Sequence, residues 1–439
     1  MAANNSKSNS GNYFLSISII GILFFIFGFV TWLNGSLIPF LKIACELNQV
    51  EAYLVTLAFY ISYTFMALPM SAVLQRTGYK NGMVLGLAAM AVGSLVFIPA
   101  AQTRIYALFL LGLFIMGGGL TILQTASNPY IVVIGPKQTA AVRISFMGVA
   151  NKCAGILSPI LFTALMFKGM EKFSDYNLSL LNESQKQTAF TELASRLIAP
   201  YIVMAVILLL LALMIKLSPL PEIETGEEDS IQTDASKKTS ILQYPQLMLG
   251  AAALFFYVGV EVIAGDTIGM YGKHLGVSFF GNLTSYTMAF MVIGYIIGII
   301  TIPRLIKQEK ALILTTVFGF LFSLGVLLSS VNGTGISNFI FGWMGIPIVP
   351  DSVFFLALLG LANAMVWPAI WPLALEGLGK FTKIGSAILI MGIAGGALLP
   401  PLYGILASSY SPQGSYLILL PCYLFIFYYA VAGHKKRKW

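Results

Sequence analysis

Residues 144–167 read ISFMGVANKCAGILSPILFTALMF, an apolar run that contains a single charge, Lys152. In a helix, Lys152 lies about 13 Å from the start of this run, or about half-way through a hydrocarbon core about 30 Å thick. A cation at this depth is costly, so we expect it to face a protein interior or a water-filled cavity and to have a partner. The four residues from Met147 to Ala150 (MGVA) return 244 positions later as MGIA, Met391 to Ala394. The run therefore predicts a two-halved membrane protein with an asymmetric buried charge.

The composition of the whole chain agrees with a membrane protein. Of its 439 residues, 58% are hydrophobic and 10% are charged, whereas a soluble globular domain has about 25% charged residues. Twelve apolar runs are long enough to span a bilayer, six on each side of a polar segment. We expect an all-α membrane protein with 12 transmembrane helices in two six-helix halves around a central cavity. The predicted units are a disordered N-terminus at 1–12, a bundle at 13–217, a cytoplasmic linker at 218–246, a bundle at 247–433 and a basic tail at 434–439.

The repeat extends beyond its four central residues. Gly135 precedes the first copy by twelve positions and Gly379 precedes the second copy by the same distance. Spans 4–5 and 10–11 are thus related by a shift, in the same membrane orientation. Parallel halves with a substrate site at their interface, near the bilayer midplane, are typical of the major facilitator fold.

Lysines and arginines predict the orientation of the chain. Of the 25, 17 fall on the side that holds both termini, seven fall on the other side, and Lys152 lies within a span. The positive-inside rule therefore predicts both termini in the cytoplasm and a multi-pass protein of the cytoplasmic (inner) membrane. Most of the net charge of +8 lies in the loops on the side that holds both termini, so the charge indicates no nucleic-acid partner. We expect contact with membrane lipid, and nothing in the sequence requires more than a monomer.

Three ionisable residues lie well inside the spans: Lys152, Glu261 and Asp266. Lys152 and Glu261 lie at overlapping depths in opposite halves, which predicts a salt bridge across the cavity. A proton or a sodium ion at a carboxylate would compete with Lys152 and loosen the contact between the halves. We therefore expect these three residues to couple transport to H⁺ or Na⁺, with no other cofactor. The alternative is a structural pair that only locks one conformation.

A neutral sugar needs amides for its hydroxyl groups and flat aromatic faces for its C–H surfaces. Trp367 and Trp371 lie four positions apart and share one helical face, although tryptophans at these places also serve as interface anchors or packing. No catalytic triad, metal-ligand spacing or catalytic carboxylate pair is present, so we expect no enzyme. The candidate substrate-binding residues are Asn34, Gln124, Asn128, Asn151, Lys152, Tyr257, Asn363, Trp367 and Trp371.

Several stretches resemble the fucose/galactose/glucose symporter family of the major facilitators. They are Leu33–Pro39 (LNGSLIP), Gln124–Tyr130 (QTASNPY), Arg143–Lys152, Tyr257–Val262 (YVGVEV) and the segment from Gly377 to Gly404. The resemblance covers essentially the whole transmembrane region. It implies a sugar:cation symporter that works by alternating access.

The resemblance also implies roles for individual residues. Asn151 matches the asparagine of the family's fifth span. Proton-linked fucose symporters carry acids at the positions that are here Gly35 and Gln124, whereas Asn151-Lys152 and the two carboxylates look more like the glucose/galactose branch. We therefore expect a hexose importer of the glucose/galactose type, with protons preferred to sodium ions. The alternatives are a Na⁺-coupled sugar symporter, an uncoupled sugar uniporter and, from other classes, a membrane sensor, a lipid flippase or a membrane-embedded enzyme.

Overall fold

The computed structural model describes residues 3–133, 140–169, 173, 181–218, 220, 240–302, 305–378 and 381–439. Within these ranges, twelve helical segments are long and apolar enough to cross a membrane, which confirms the predicted all-α architecture. We number them spans 1–12: Leu15–Ala44, Gln49–Ala67, Arg76–Thr103, Tyr106–Ser127, Arg143–Met166, Glu183–Leu217, Pro245–His274, Phe280–Thr301, Gln308–Leu328, Asp351–Leu375, Ile384–Ser409 and Gly414–Lys435.

The first half contains spans 1–6, and its first span is broken. Its helices are Ala3–Trp32, Asn34–Ala44, Gln49–Ala52, Leu54–Thr103, Tyr106–Val133, Ala140–Met166, Glu183–Ser195 and Ile198–Leu217. The first helix begins at Ala3, so it includes most of the segment 1–12 for which we expected disorder. Spans 2 and 3 both lie within Leu54–Thr103. The chain turns at Gly78 between them, where φ is 75° and a side chain would be strained.

The second half contains spans 7–12 and is more segmented. Its α-helices are Pro245–Val262, Ile268–His274, Leu283–Thr301, Gln308–Leu328, Gly335–Phe341, Asp351–Asn363, Val366–Leu375, Thr382–Met391, Gly395–Ser409 and Leu419–Val431. A π-helical turn, Ile263–Thr267, joins the two helices of span 7. In span 11 the repeated motif lies on a 3₁₀ turn, Gly392–Ala394, whereas its copy in span 5 is α-helical. Gly135, Gly379 and most of the linker lie outside the described residues.

Close backbone contacts between spans explain several glycines. A Cβ atom at Gly93 of span 3 would lie 2.7 Å from the carbonyl oxygen of Gly112 in span 4, and one at Gly86 would lie 2.7 Å from that of Gly119. Lipid tails are as apolar as leucine, so spans associate through such close packing and not through hydrophobic exclusion from water. These small residues therefore set the tight antiparallel pairing of spans 3 and 4.

The two halves contact each other on the side of the membrane away from the linker, which we call the far side. Trp439 Nε1 donates to Leu242 O at 2.7 Å, so the C-terminus and the linker lie on the opposite side, the linker side. On the far side, Ser36 Oγ donates to Gly281 O at 2.6 Å. The rings of Phe167 and Phe280 also meet there, with centroids 5.2 Å apart. The halves are therefore joined toward the far side.

Candidate functional site

A central cavity of about 140 Å³ lies between the halves. Spans 1, 2, 4 and 5 form its wall in the first half, and spans 7, 8, 10 and 11 form its wall in the second. The lining is aromatic, with a few amides and one ion pair, a composition that suits a small polar ligand with apolar faces. The lining residues are Phe24, Phe27, Thr31, Trp32, Tyr60, Tyr63, Gln124, Ile144, Gly148, Asn151, Lys152, Tyr257, Val258, Glu261, Val262, Tyr295, Trp367, Pro368 and Ile393.

The predicted salt bridge across the cavity is present. Lys152 Nζ of span 5 lies 2.7 Å from Glu261 Oε1 of span 7, and the two side chains are only 8% and 10% exposed. Lys152 Nζ also lies 4.1 Å from the centroid of the Trp32 ring, which adds a cation–π contact from span 1. A buried cation of this kind is stable only while its partner stays ionised and close. The pair therefore ties the position of span 5 to that of span 7.

The amide of Asn151, next to Lys152, connects span 5 to span 1. Its Nδ2 donates to Phe24 O at 3.2 Å, and its Oδ1 accepts from Trp32 Nε1 at 3.4 Å. Gly28 allows this approach, because a Cβ atom there would overlap the backbone carbonyl of Asn151. The long Trp32 bond leaves room for a ligand hydroxyl to compete for Oδ1.

Three other predicted ligands line the cavity: Gln124 in the first half, and Tyr257 and Trp367 in the second. Gln124 Nε2 donates to the Tyr63 hydroxyl at 3.1 Å, which orients its amide at the wall of the first half. On the other wall, Trp367 packs near Tyr257 with ring centroids 6.3 Å apart. The cavity thus offers an amide on one side and flat rings on the other.

Three of the predicted ligands, Asn34, Asn363 and Trp371, lie outside the cavity lining formed by the described residues. Asn363 is fully buried, and its Oδ1 accepts from the Tyr423 hydroxyl at 2.8 Å, between spans 10 and 12. Asn34 is buried at the start of the second helix of span 1. Trp371 packs behind Trp367 with ring centroids 5.5 Å apart. The side chain of a fourth predicted ligand, Asn128 in the helix Tyr106–Val133, lies outside the described residues.

Asp266 lies beyond the cavity, on the π-helical turn of span 7. It is fully buried, and neither carboxylate oxygen has a hydrogen-bond partner among the described residues. Two carbonyl oxygens of this turn each accept a threonine hydroxyl, because Thr284 Oγ1 donates to Gly265 O and Thr287 Oγ1 donates to Ala264 O, at 2.7 and 3.1 Å. A π turn breaks the regular i→i+4 pattern and is often found at functional sites.

Gly35 explains how span 1 can approach this turn. A Cβ atom at Gly35 would overlap Thr284 Oγ1 and would lie 2.9 Å from Gly265 O. A larger residue at this position would push these elements apart. The glycine is therefore required for the far-side contact between the halves.

Several cavity residues were absent from the sequence-based set of site residues. Tyr60 and Tyr63 lie three positions apart on span 2 and stack with centroids 6.4 Å apart, and Tyr295 reaches the cavity from span 8. The three-residue spacing of Tyr60 and Tyr63 is the one signal that a search for aromatic faces could have used. Trp32 was not among the predicted ligands either, because its contact with Lys152 depends on how spans 1 and 5 pack.

Comparisons with known proteins identify the family of this chain. The family profile of the Major Facilitator Superfamily matches residues 20–394. The "Glucose/galactose transporter" of Brucella abortus is 32% identical over 434 residues, which cover 98% of this chain and 96% of the relative. The "L-fucose-proton symporter" of Haemophilus influenzae is 29% identical over 449 residues, which cover 99% and 100%.

A solved structure gives the same result for the fold. The crystal structure of the Major Facilitator Superfamily transporter FucP in the outward conformation superposes with a TM-score of 0.73, at 26% identity, over 95% of this chain and 98% of that one. These relatives are transporters by name, which confirms the expectation that the chain is not an enzyme. The chain is a multi-pass membrane protein, and it belongs to the Major Facilitator Superfamily.

Proposed function

We propose that this protein imports a hexose of the glucose/galactose type by cation symport, with protons as the coupling ion. The observation that carries the proposal is the Lys152–Glu261 ion pair, which joins the two halves in the wall of a cavity lined by amides and aromatic rings. The relatives named for glucose/galactose transport and L-fucose–proton symport support the same class of substrate. The orientation of charges supports the cytoplasmic membrane with both termini inside, and a monomer in contact with lipid and no nucleic acid is sufficient.

The sugar would bind between the two walls of the cavity. Gln124 and Asn151 would hydrogen-bond its hydroxyl groups, while Tyr257 and Trp367 would pack against its C–H faces. Lys152 Nζ has three donors, of which Glu261 takes one, so a sugar oxygen could accept another. Asn34, Asn363 and Trp371 lie outside the cavity lining formed by the described residues, so the proposed binding set is narrower than the set predicted from the sequence. Asn128, whose side chain lies outside the described residues, stays a candidate.

The ion pair would convert ligand and ion binding into movement of the halves. With the pair intact, spans 5 and 7 stay together. An ion that neutralises one carboxylate of span 7 weakens the attraction of that span for Lys152. Alternating access then follows from the difference in binding free energy between the two conformations. Lys152, Glu261 and Asp266 are the proposed coupling residues.

Counterflow of labelled sugar in proteoliposomes tests transport itself. Vesicles preloaded with unlabelled glucose, galactose or L-fucose would be diluted into trace labelled sugar. We expect transient accumulation of labelled glucose or galactose in the vesicles, because a carrier that takes unlabelled sugar out brings labelled sugar in on its return. The absence of counterflow for every sugar would overturn the proposal and favour the sensor. Competing uptake of a fluorescent lipid would favour the flippase.

An uncoupled uniporter is the second candidate. It is favoured by Gly35 and Gln124, which occupy the positions of the two acids of the fucose symporters. Gln124 cannot exchange a proton, and its amide is held by Tyr63. Counterflow that is insensitive to both pH and sodium, with no sugar-driven ion movement, would establish this alternative.

A further inference from the structure

Asp266 stands out as a buried acid that has no hydrogen-bond partner among the described residues. Both of its oxygens lack a donor among the described residues, although the side chain is 0% exposed. Lys152 interacts electrostatically with Asp266, but its ammonium group donates to Glu261 and lies over the Trp32 ring. An ionised carboxylate left in this state is strongly penalised, so the site favours the binding of a cation.

We propose that Asp266 is the seat of the coupling ion, that this ion is a proton, and that one proton binds there in each transport cycle. This inference rests on the proposed function of sugar symport. It separates the ion site from the sugar cavity, because Asp266 lies about 7 Å along span 7 from Glu261 and is not part of the cavity lining.

The charge balance of the site supports a single proton. The titratable groups that interact with Asp266 are Glu261 and Lys152, together with the neutral hydroxyls of Tyr53 and Tyr60. With all three charged groups ionised, this buried region has a net charge of −1. One added proton makes it neutral while the Lys152–Glu261 bond stays intact, whereas a second would have to break that bond.

The surroundings favour a proton over a sodium ion. A hard metal cation needs several oxygen ligands, as the six to eight of Ca²⁺ sites illustrate. Here the carbonyl oxygens of Ala264 and Gly265 already accept from threonine hydroxyls, and Thr267 Oγ1 donates to Ile263 O at 2.7 Å. A proton needs only one oxygen of the carboxyl group. It binds Asp266 from the aqueous phase on one side and leaves to the other, and no other bond changes.

Tyr60 connects this site to the sugar cavity. It lines the cavity, and its hydroxyl is buried without a hydrogen-bond partner among the described residues. The Trp32 ring lies between the two sites, since it holds Lys152 and also contacts Gly265: a Cβ atom there would lie 2.5 Å from Trp32 Cζ3. Sugar binding that shifts Trp32 would therefore change the surroundings of Asp266.

The test measures accumulation driven by membrane potential. Proteoliposomes in sodium-free buffer, with equal pH on both sides, would be held at −100 mV with potassium and valinomycin and given a sugar that passes counterflow. One charge per sugar supports an accumulation ratio of about 50-fold, and two charges would support about 2,400-fold. We expect the wild type to approach, without exceeding, the one-charge limit. The variant Asp266→Asn, a neutral isostere, should give an accumulation ratio close to one even where its counterflow is still measurable.

Asp351→Asn is the matched control. Asp351 is also a buried acid in a span, but its Oδ1 accepts from Ile336 N and Ser337 N at 3.0 and 2.9 Å, and an amide oxygen can keep both bonds. This variant should accumulate sugar like the wild type.

The outcomes separate the two proposals. Counterflow together with full accumulation by Asp266→Asn overturns the assignment of Asp266 but leaves sugar transport standing. A wild-type ratio well above 50-fold refutes the single proton even if the variant does not fold, and accumulation that requires sodium refutes the proton. A wild type without counterflow overturns the proposed function and this inference with it.

Discussion

Replacing the two partners of the central ion pair should show that they depend on each other. Lys152 Nζ and Glu261 Oε1 lie 2.7 Å apart, and both side chains are at least 90% buried. At an effective dielectric constant of 20, the attraction at this distance is about 6 kcal/mol, much of it offset by desolvation. Removing one partner of a buried pair costs about 3–5 kcal/mol, because the other charge is left unpaired. We expect Lys152→Met and Glu261→Gln each to lower the free energy of unfolding by roughly this amount.

The double variant should recover most of the loss. Without either charge, no unpaired ion remains, so Lys152→Met/Glu261→Gln should be more stable than either single variant. Thermal unfolding in nanodiscs gives the order of stability of the wild type, the two single variants and the double variant. The control is the surface pair Lys186–Glu183, at 2.9 Å with side chains 28% and 80% exposed. The same double-mutant cycle on this pair should give an interaction free energy of less than about 1 kcal/mol. Additive losses at Lys152 and Glu261 would refute the reasoning.

Three further changes test other parts of the site. Trp367→Ala removes an aromatic wall of the cavity and should raise the half-saturating sugar concentration in counterflow about tenfold. The matched change Trp343→Ala, at an exposed residue outside the cavity, should have no effect. Gly35→Ala introduces a clash between the halves and should slow counterflow about tenfold, whereas an alanine at Gly335, which has open space around its Cβ position, should not. Burial raises the pKa of the Cys45 thiol to about 11. A variant with Cys45 as its sole cysteine should therefore react with maleimide increasingly as the pH rises toward 11, because it has about 300-fold less thiolate at pH 7 than an ordinary cysteine. A midpoint of the reaction rate near pH 8.5 would contradict this.

The depth of a charge was enough to predict the central contact. A lysine near the middle of a span requires a partner, and Glu261 lies at an overlapping depth in the other half. The ion pair follows from this, as does the presence of a cavity beside it. The number and apolar character of the spans were likewise predictable, because a bilayer admits only long apolar helices or closed barrels.

The direction of side chains was harder to predict because the helices are interrupted. Asn363 and Trp367 were both expected at the cavity, but span 10 breaks between its helices Asp351–Asn363 and Val366–Leu375, which changes the facing of residues across the break. Asn363 therefore meets Tyr423 while Trp367 meets the cavity. Such a break depends on tertiary packing that no periodic pattern reveals.

The repeat also conceals an asymmetry of the two halves. By the 244-residue shift, Asn151-Lys152 correspond to Gly395-Gly396. A Cβ atom at Gly395 would overlap Phe255 O, and one at Gly396 would lie 3.2 Å from the Tyr60 ring. The first half thus presents a polar pair where the second presents bare backbone, and this backbone lies against an aromatic ring of the opposite half. Sequence repetition predicted the architecture, but the chemistry depends on where the repeat fails.

Sugar-driven proton movement tests the central claim most directly. Proteoliposomes with a trapped pH dye and no sodium would be given glucose, galactose or L-fucose on the outside. Symport predicts acidification of the lumen by glucose or galactose with the wild type, and none with Lys152→Met, in which the ion pair between the halves is lost. Uptake of sugar by the wild type without any change in lumenal pH, whether or not sodium is present, would contradict proton coupling.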